Sequence, residues 1–159
     1  MQGAKSDVSE RELKFSRQLK APIELVWEVF THPEHVMLWW GPDGFTNTIK
    51  KMDVKPGGRF QVMMHHPDGS MLEVDIRFIE IVDHQKIVYE QLNHFRCIAT
   101  IEFESRGDIT HINWIMLFES KEFLVESAKI YGVVTGLQQC GERLAHYVSH
   151  FKNNNHENH

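Results

Sequence analysis

A strict alternation of apolar and charged residues over positions 72–78, within the segment 71–81, is the feature that most constrains this fold. Its apolar members are Leu72, Val74, Ile76 and Phe78, and its charged members are Glu73, Asp75 and Arg77. Because successive side chains of a β-strand point to opposite faces of a sheet, the pattern predicts a strand with one buried and one solvated face. A sheet built from such strands must cover its apolar face with a second layer.

Alternating segments and clusters of turn-forming residues divide most of the chain into short strands. The segments predicted as strands are 12–20, 45–54, 59–66, 71–81, 86–92, 96–104 and 109–118. Two short helices are predicted over 23–30 and 34–40, the first placed after Pro22, which suits a first helical turn. Short connections such as Pro67-Asp68-Gly69-Ser70 favour antiparallel pairing of successive strands.

The last segment, residues 123–151, is predicted to form one long amphipathic helix. Val133, Leu137, Leu144 and Val148 recur near one face at helical spacing. No other predicted element is long enough to cover the sheet. The expected fold is therefore α+β, with about six to seven antiparallel strands and one C-terminal helix in a single domain over 11–151. Residues 1–10 and 152–159 are expected to be loose termini.

The composition excludes several classes of function. Of 159 residues, 42% are hydrophobic and 25% are charged, as in a globular domain rather than a disordered chain. The net charge of −5 argues against nucleic-acid binding, which needs basic charge. Cys97 and Cys140 lie in apolar segments without CxxC spacing, so we expect reduced core thiols. With no apolar leader and no membrane-spanning stretch, a cytoplasmic protein is expected.

Several segments resemble the helix-grip superfamily of START and birch-pollen-allergen-like proteins. They are AP (21–22) with VW (26–27), WWGPDGFT (39–46), MDVKPGG (52–58), PDG (67–69), FxEI (78–81) and GLxQxxxRL (136–144). Within the superfamily they are most similar to the branch named after the C-terminal domain of the activator of the 90-kDa heat-shock chaperone ATPase. The resemblance runs from about Leu13 to Phe151. Its motifs are specific for the fold and not for an activity.

The resemblance implies a curved antiparallel sheet wrapped around the C-terminal helix, with an apolar cavity between them. Members bind lipids, polyketides or other hydrophobic molecules, some act as cyclases or aromatases, and some assist chaperones. Relatives commonly have an acidic residue where Thr135 stands and a Thr-Leu pair where Cys140 and Gly141 stand. Both differences fall on the helix, so the ligand of this chain need not be theirs.

Strand parity and helical spacing indicate which side chains would line such a cavity. They are Trp40, Phe60, Val62, Met64, Tyr89, Cys97, Ala99, Trp114, Met116, Leu137, Cys140 and Gly141. An ordinary solid core would explain the same pattern. Methionine, a flexible liner of irregular spaces, and the small residues of the helix favour a cavity.

Gly132, Gly136 and Gly141 are predicted to lie within the helix, where each costs about 1 kcal/mol relative to alanine. Room for a ligand and close packing on the sheet are two explanations. If Gly141 borders a cavity, Gly141→Ala should stabilise the protein by up to about 1 kcal/mol. If the helix lies flat on the sheet there, the new methyl group should cost about 1–3 kcal/mol.

No cofactor and no metal are indicated by the sequence. His146 and His150 have the i, i+4 spacing of a zinc pair, but no third ligand is evident. The charged row of 73–77 could be an acid–base set, although the wet outer face of the sheet explains it better. The sequence favours a module that binds a small hydrophobic molecule. It leaves open a cyclase or hydrolase that pairs Tyr89 with His94 or His111, a chaperone-ATPase cofactor, and a homodimer.

Overall fold

The computed structural model describes residues 5–157, with side chains for residues 10–150. Within these residues the chain forms eight strands and four helices, which confirms the predicted α+β class. The strands are β1 (Lys5–Ser9), β2 (Glu12–Leu19), β3 (Thr46–Met52), β4 (Arg59–His65), β5 (Met71–Val82), β6 (Lys86–Gln91), β7 (Cys97–Arg106) and β8 (Ile109–Phe118). The helices are α1 (Ile23–Thr31), α2 (Pro33–Trp39), α3 (Lys121–Tyr131) and α4 (Val133–Glu157).

The described strands form one antiparallel sheet in the order β1-β2-β8-β7-β6-β5-β4-β3. The alternation predicted for β5 is confirmed, because Val74, Ile76 and Phe78 are buried while Glu73 and Arg77 are exposed. The same two-residue period in β4, β7 and β8 gives the sheet one continuous apolar face. This face forms the core together with the helices.

Two β-bulges interrupt the pairing of the described strands. One lies between Ile49 and Lys51 in β3, and the other lies between Phe78 and Glu80 in β5. An extra residue in one strand bends that strand and increases the local twist. The bend turns the apolar face of the sheet towards the helices, as the resemblance implied.

Helix α4 lies on the apolar face and contacts β2, α1 and α2. Leu144 and Val148 are fully buried in this layer. The backbone of Gly141 faces the ring of Phe15 in β2 so closely that a Cβ atom at position 141 would overlap that ring. The middle of α4 is therefore packed directly on the sheet.

The predicted single helix over 123–151 is two helices in the structure. Helix α3 ends at Gly132, which has a left-handed φ of 66° and whose N–H donates to the carbonyl oxygen of Ala128. Glycine adopts this conformation without a steric penalty from a side chain, and it commonly ends helices in this way. The expectation that Gly132 lies within a helix was wrong, because the residue caps α3.

Secondary structure extends into both of the segments, 1–10 and 152–159, that were expected to be loose termini, and their looseness stays a prediction. Residues 5–9 form β1, which pairs with β2 in antiparallel register, with Val8 opposite Leu13. Helix α4 continues to Glu157, beyond the predicted end at 151. Residues 1–4 and 158–159 lie outside the described part of the chain. That residues 11–151 form a single domain stays a prediction.

Candidate functional site

An apolar pocket of about 100 Å³ lies between the inner face of the sheet, the loop after α2 and the first turns of α4. Among its lining residues are several that the sequence predicted: Trp40, Met64, Tyr89, Trp114, Met116, Leu137 and Cys140. They come from five elements or loops that are distant in the sequence. Strand parity and helical spacing therefore indicated the faces of the strands and of α4 that meet around this pocket.

The other predicted lining residues do not border this pocket. Phe60 lines a smaller void of about 20 Å³ that shares Trp40 and Tyr89 with the pocket. Val62, Cys97 and Ala99 are buried in the core on the same face of the sheet. All four thus lie on the predicted face but outside this pocket, because strand parity fixes the face of a side chain and not its position along the strand relative to the pocket.

Gly141 is also absent from the pocket wall. Gly141 lies against Phe15. Gly136, in the first turn of α4, faces the other side of the helix and does line the pocket. A Cβ atom at Gly136 would meet only Pro42, at an ordinary contact distance of 3.5 Å. The space predicted at Gly141 is therefore found at Gly136, about one and a half helical turns earlier.

The sequence prediction omitted several residues that line the pocket, among them Leu72 and Val74 on the apolar face of β5. The loop residues Gly41, Pro42 and Phe45 reach the pocket through tertiary packing, which no local pattern indicates. Gln91 lies two residues after Tyr89 on the same face of β6, and its side chain is 3% exposed. The two-residue period could have identified Gln91, but a polar residue does not stand out as part of an apolar face.

The described residues that line the pocket include no Asp, Glu, Lys, Arg or His. The polar side chains in the wall are uncharged, those of Trp40, Tyr89, Gln91, Trp114, Tyr131 and Cys140. A charged ligand would lose its hydration here without gaining an ionic partner. The wall is therefore suited to uncharged molecules.

A hydrogen bond in the pocket wall joins two of the predicted residues. The indole Nε1–H of Trp114 donates to the Tyr89 hydroxyl oxygen over 3.2 Å. The bond passes over β7, where Ala99 lies opposite Tyr89 and has a small side chain. Burial raises the pKa of Tyr89 well above its usual 10.0, so the phenol keeps its proton at neutral pH.

Both cysteines are free and buried, which confirms the prediction of reduced core thiols. Burial raises the pKa of Cys97 to about 12 and that of Cys140 to about 11. The Cys140 sulfur accepts a hydrogen bond from the Gly41 backbone N–H over 3.4 Å. Since the thiolate is the nucleophilic form, neither cysteine is poised for covalent catalysis.

The polar pairs considered for catalysis do not form. The ring of His94 bonds to the Tyr131 hydroxyl at 3.3 Å and to the Glu73 carbonyl oxygen at 2.9 Å, so it is engaged away from Tyr89. His111 lies on β8 opposite Gln18 and also does not contact the Tyr89 hydroxyl. A pairing of Tyr89 with either histidine was therefore a wrong expectation.

The charged row on β5 lies on the outer face of the sheet, as the sequence indicated. Asp75 accepts hydrogen bonds from Arg59, and Arg77 donates to Glu90. Arg59 lowers the pKa of Asp75 chiefly through this hydrogen bond. The row consists of cross-strand ion pairs and is separated from the pocket by the thickness of the sheet.

Arg143 holds the loop wall of the pocket against α4. Its Nη1 donates to the carbonyl oxygens of Trp40, Gly41 and Pro42 over 3.1, 2.9 and 2.7 Å. Its Nη2 donates to the carbonyl oxygen of Phe45 over 3.1 Å. One guanidinium group thus ties several loop carbonyls to α4, two of which also accept from Asn47 and from the Phe45 N–H.

The end of α3 forms another part of the pocket wall. Tyr131 and Gly132 line the pocket there, together with Phe95 from the loop between β6 and β7. The rings of Tyr131 and Phe95 lie 5.4 Å apart between centroids. This side of the wall therefore consists of two aromatic side chains next to the left-handed glycine.

Within the described side chains, no three His, Cys, Asp or Glu residues are grouped so as to hold a metal ion. The rings of His146 and His150 stack with their centroids 6.0 Å apart. No helix in the described part of the chain combines the length and the apolar character needed to span a membrane.

A bent antiparallel sheet that packs on a C-terminal helix and encloses an apolar pocket defines a helix-grip protein of the START-like class. The chain belongs to the family described as activator of Hsp90 ATPase homolog 1-like protein, which matches residues 20–149. The match spans α1 to α4 and so includes every element that lines the pocket. It confirms the family that the sequence motifs indicated.

Solved structures with the same fold come from several bacteria. The solution structure of a protein from Arthrobacter aurescens has a TM-score of 0.84 and 20% identity, covering 94% of this chain and 92% of that one. The crystal structure of NE0264 from Nitrosomonas europaea has a TM-score of 0.79 and 21% identity, covering 89% and 96%. Ms6760 from Mycobacterium smegmatis has a TM-score of 0.80 and 19% identity, covering 93% and 97%. No curated protein matches the chain.

Proposed function

We propose that this protein binds a small, uncharged hydrophobic molecule in the pocket between the sheet and α4. The observation that carries the proposal is the composition of the wall, which is apolar apart from a few uncharged polar groups. Binding pockets for small molecules commonly have this character, with few polar groups that fix the orientation of the ligand. The apolar cavity expected from the family resemblance supports the same function.

The volume of the pocket limits the size of its occupant. About 100 Å³ is smaller than the cavity of about 150 Å³ that is known to accept benzene. A single small ring or a short branched chain therefore suits the pocket as it stands. A molecule of lipid size would require part of the wall, such as Tyr131, to move outward.

Filling the pocket from Gly136 tests the proposal. A leucine side chain at this position would occupy the space next to Pro42, so Gly136→Leu should fold and lose binding. Thr135→Leu is the matched control, because Thr135 is exposed on the same turn of α4. The probe is cyclopentane, and binding is followed through the NMR signals of the Trp40 and Trp114 indole N–H groups.

We expect cyclopentane to shift both indole signals in the unmodified protein and in Thr135→Leu, but not in Gly136→Leu. An unmodified protein whose indole signals do not respond to cyclopentane would contradict the proposal. Equal responses in both leucine variants would place the binding elsewhere.

The cyclase or hydrolase and the chaperone-ATPase cofactor stay predictions. The enzyme hypothesis relied on Tyr89 paired with a histidine, and the hydroxyl group of Tyr89 is bonded to Trp114 instead. The observations on the pocket wall favour binding over both alternatives.

A further inference from the structure

The Tyr89 hydroxyl group has an unused donor. Its oxygen accepts the hydrogen bond from the Trp114 indole N–H, which leaves the O–H free to donate. Among residues 10–150, no group accepts a hydrogen bond from this hydroxyl. Tyr89 is only 5% exposed, so an acceptor for this O–H has to enter the pocket that Tyr89 lines.

An unused donor in a buried place has a cost. A buried polar group without a partner loses the hydration that it has in the unfolded chain. Because the pKa of Tyr89 is raised well above 10.0, the group cannot avoid that cost by losing its proton at neutral pH. The Tyr89 hydroxyl is thus fixed as a donor by Trp114 on one side and lacks an acceptor on the other.

The pocket is where an acceptor for this donor can come from. Tyr89 and Trp114 both line it, and most of the surrounding side chains, such as Met64 and Leu137, are apolar. An occupant that bears one oxygen acceptor on an apolar frame would satisfy the donor and keep the apolar contacts. The lack of charged residues in the wall excludes a carboxylate or a phosphate as a well-matched acceptor.

We infer that the ligand of this pocket is a small cyclic or branched carbonyl compound whose oxygen accepts a hydrogen bond from the Tyr89 hydroxyl. This inference rests on the proposed function and narrows it from hydrophobic molecules in general to neutral ketones, aldehydes or esters of about one ring. Trp114 acts as a positioning residue, because its indole N–H occupies the Tyr89 oxygen and leaves the hydroxyl proton for the ligand.

Two probes of the same shape separate the hydrogen bond from apolar burial. Cyclopentanone and methylenecyclopentane differ only in that an oxygen replaces a CH₂ group. Each is titrated into the unmodified protein, into Tyr89→Phe and into Tyr147→Phe, and the dissociation constants are measured by NMR. Tyr147→Phe is the matched control, since the Tyr147 hydroxyl bonds to His35 outside the pocket.

We expect Tyr89→Phe to weaken cyclopentanone binding about threefold to tenfold, the usual effect of one neutral hydrogen bond. Methylenecyclopentane should bind to Tyr89→Phe as tightly as before, and Tyr147→Phe should leave both constants unchanged. Equal effects of Tyr89→Phe on the two probes would overturn the inference, with a water molecule as the acceptor, while the proposed function would stand. Failure of both probes to bind the unmodified protein would overturn the proposed function itself.

The infrared carbonyl stretch of bound cyclopentanone gives a second reading that needs no variant. A hydrogen-bonded carbonyl group absorbs at a lower frequency than the same group in a hydrocarbon solvent. We expect the lower frequency in the unmodified protein and its loss in Tyr89→Phe. A bound carbonyl group with the hydrocarbon frequency in the unmodified protein would overturn the inference even if Tyr89→Phe did not fold.

Discussion

The ring of Phe15 in β2 lies directly against the backbone of Gly141 in α4, with no side chain between the strand and the helix. Phe15 is fully buried, and the residues on either side of Gly141 are also in the core or half-buried. This contact brings the middle of α4 directly onto the sheet, next to Cys140, which borders the pocket. The pocket therefore exists beside a closely packed region and is not a general looseness of the core.

Gly141→Ala should destabilise the protein by about 1–3 kcal/mol, the usual cost of overpacking a core. The added methyl group would overlap the ring of Phe15, which is held on all sides. The free energy of unfolding from a urea titration measures the effect. Gly136→Ala is the control, and it should stabilise by up to about 1 kcal/mol because its methyl group fits beside Pro42. Stabilisation by both alanines would contradict the close contact at Phe15.

Arg143→Lys should lower the free energy of unfolding by about 2 kcal/mol or more. A lysine cannot reproduce the fork that bonds the carbonyl oxygens of Trp40, Gly41 and Pro42, so some of them would lose their partner. Urea titrations check the change. Arg17→Lys is the matched control, since the ion pair of Arg17 with Glu142 is partly exposed and should be worth less than about 1 kcal/mol. A loss no larger in Arg143→Lys than in Arg17→Lys would contradict this role.

Asp75→Asn should lower the free energy of unfolding at neutral pH. In acid the difference from the unmodified protein should disappear. Arg59 lowers the pKa of Asp75 below its ordinary value of 3.8, so the folded protein favours the ionised form. The pair therefore stabilises fully above that ordinary pKa, and its contribution disappears as the pH falls through the lower, folded-state pKa. Urea titrations at pH 7 and in increasingly acidic buffer should show the difference between Asp75→Asn and the unmodified protein shrinking.

Glu73→Gln is the control for the contribution of the Asp75–Arg59 ion pair at pH 7. Its ion pair with Lys50 is on the same face of the sheet but more exposed, with 53% of the Glu73 side chain accessible against 27% for Asp75. At pH 7 we expect Glu73→Gln to lower the free energy of unfolding less than Asp75→Asn does, because an exposed ion pair contributes little. Equal losses of unfolding free energy in the two variants would mean that the Asp75–Arg59 ion pair stabilises the protein no more than the exposed Glu73–Lys50 pair does.

Iodoacetamide should alkylate neither cysteine at pH 8 in the folded protein. The pKa values of about 12 for Cys97 and about 11 for Cys140 leave almost no thiolate, and both thiols are buried. Mass spectrometry of the intact protein counts the added groups. In urea above the unfolding transition, both cysteines should react, which serves as the control. Rapid labelling of Cys140 in the folded state would show that the pocket opens to the solvent.

The face of each strand could be predicted from the sequence because the two-residue period is a local property of the backbone. The pairs Val62 and Val74, or Ile101 and Trp114, lie opposite one another as the parity of their strands required. The position of the pocket could not be predicted in the same way. It depends on where the loop of Gly41 and the end of α3 reach the sheet, and both depend on tertiary packing.

The roles of the three glycines in the segment 123–151 could not be predicted from the local sequence either. Gly132 caps a helix, Gly136 lines the pocket and Gly141 admits the ring of Phe15. Each has a different physical reason to lack a side chain, yet all three look alike as small residues in an amphipathic pattern. Strand β1 was not predicted because Ser6, Asp7 and Val8 show no alternation. The segment forms a strand through its pairing with β2, which the local sequence does not indicate.

The bulge in β3 has a consequence for the behaviour of the protein at high concentration. β3 is the last strand of the sheet, so one of its sides presents unpaired backbone groups to which another chain could add a strand. The bulge between Ile49 and Lys51 breaks the regular spacing of these groups, and the exposed Lys51 places a positive charge beside it, while Lys50 pairs with Glu73. A second molecule that approached edge to edge would meet an irregular, charged border, which opposes aggregation through this strand.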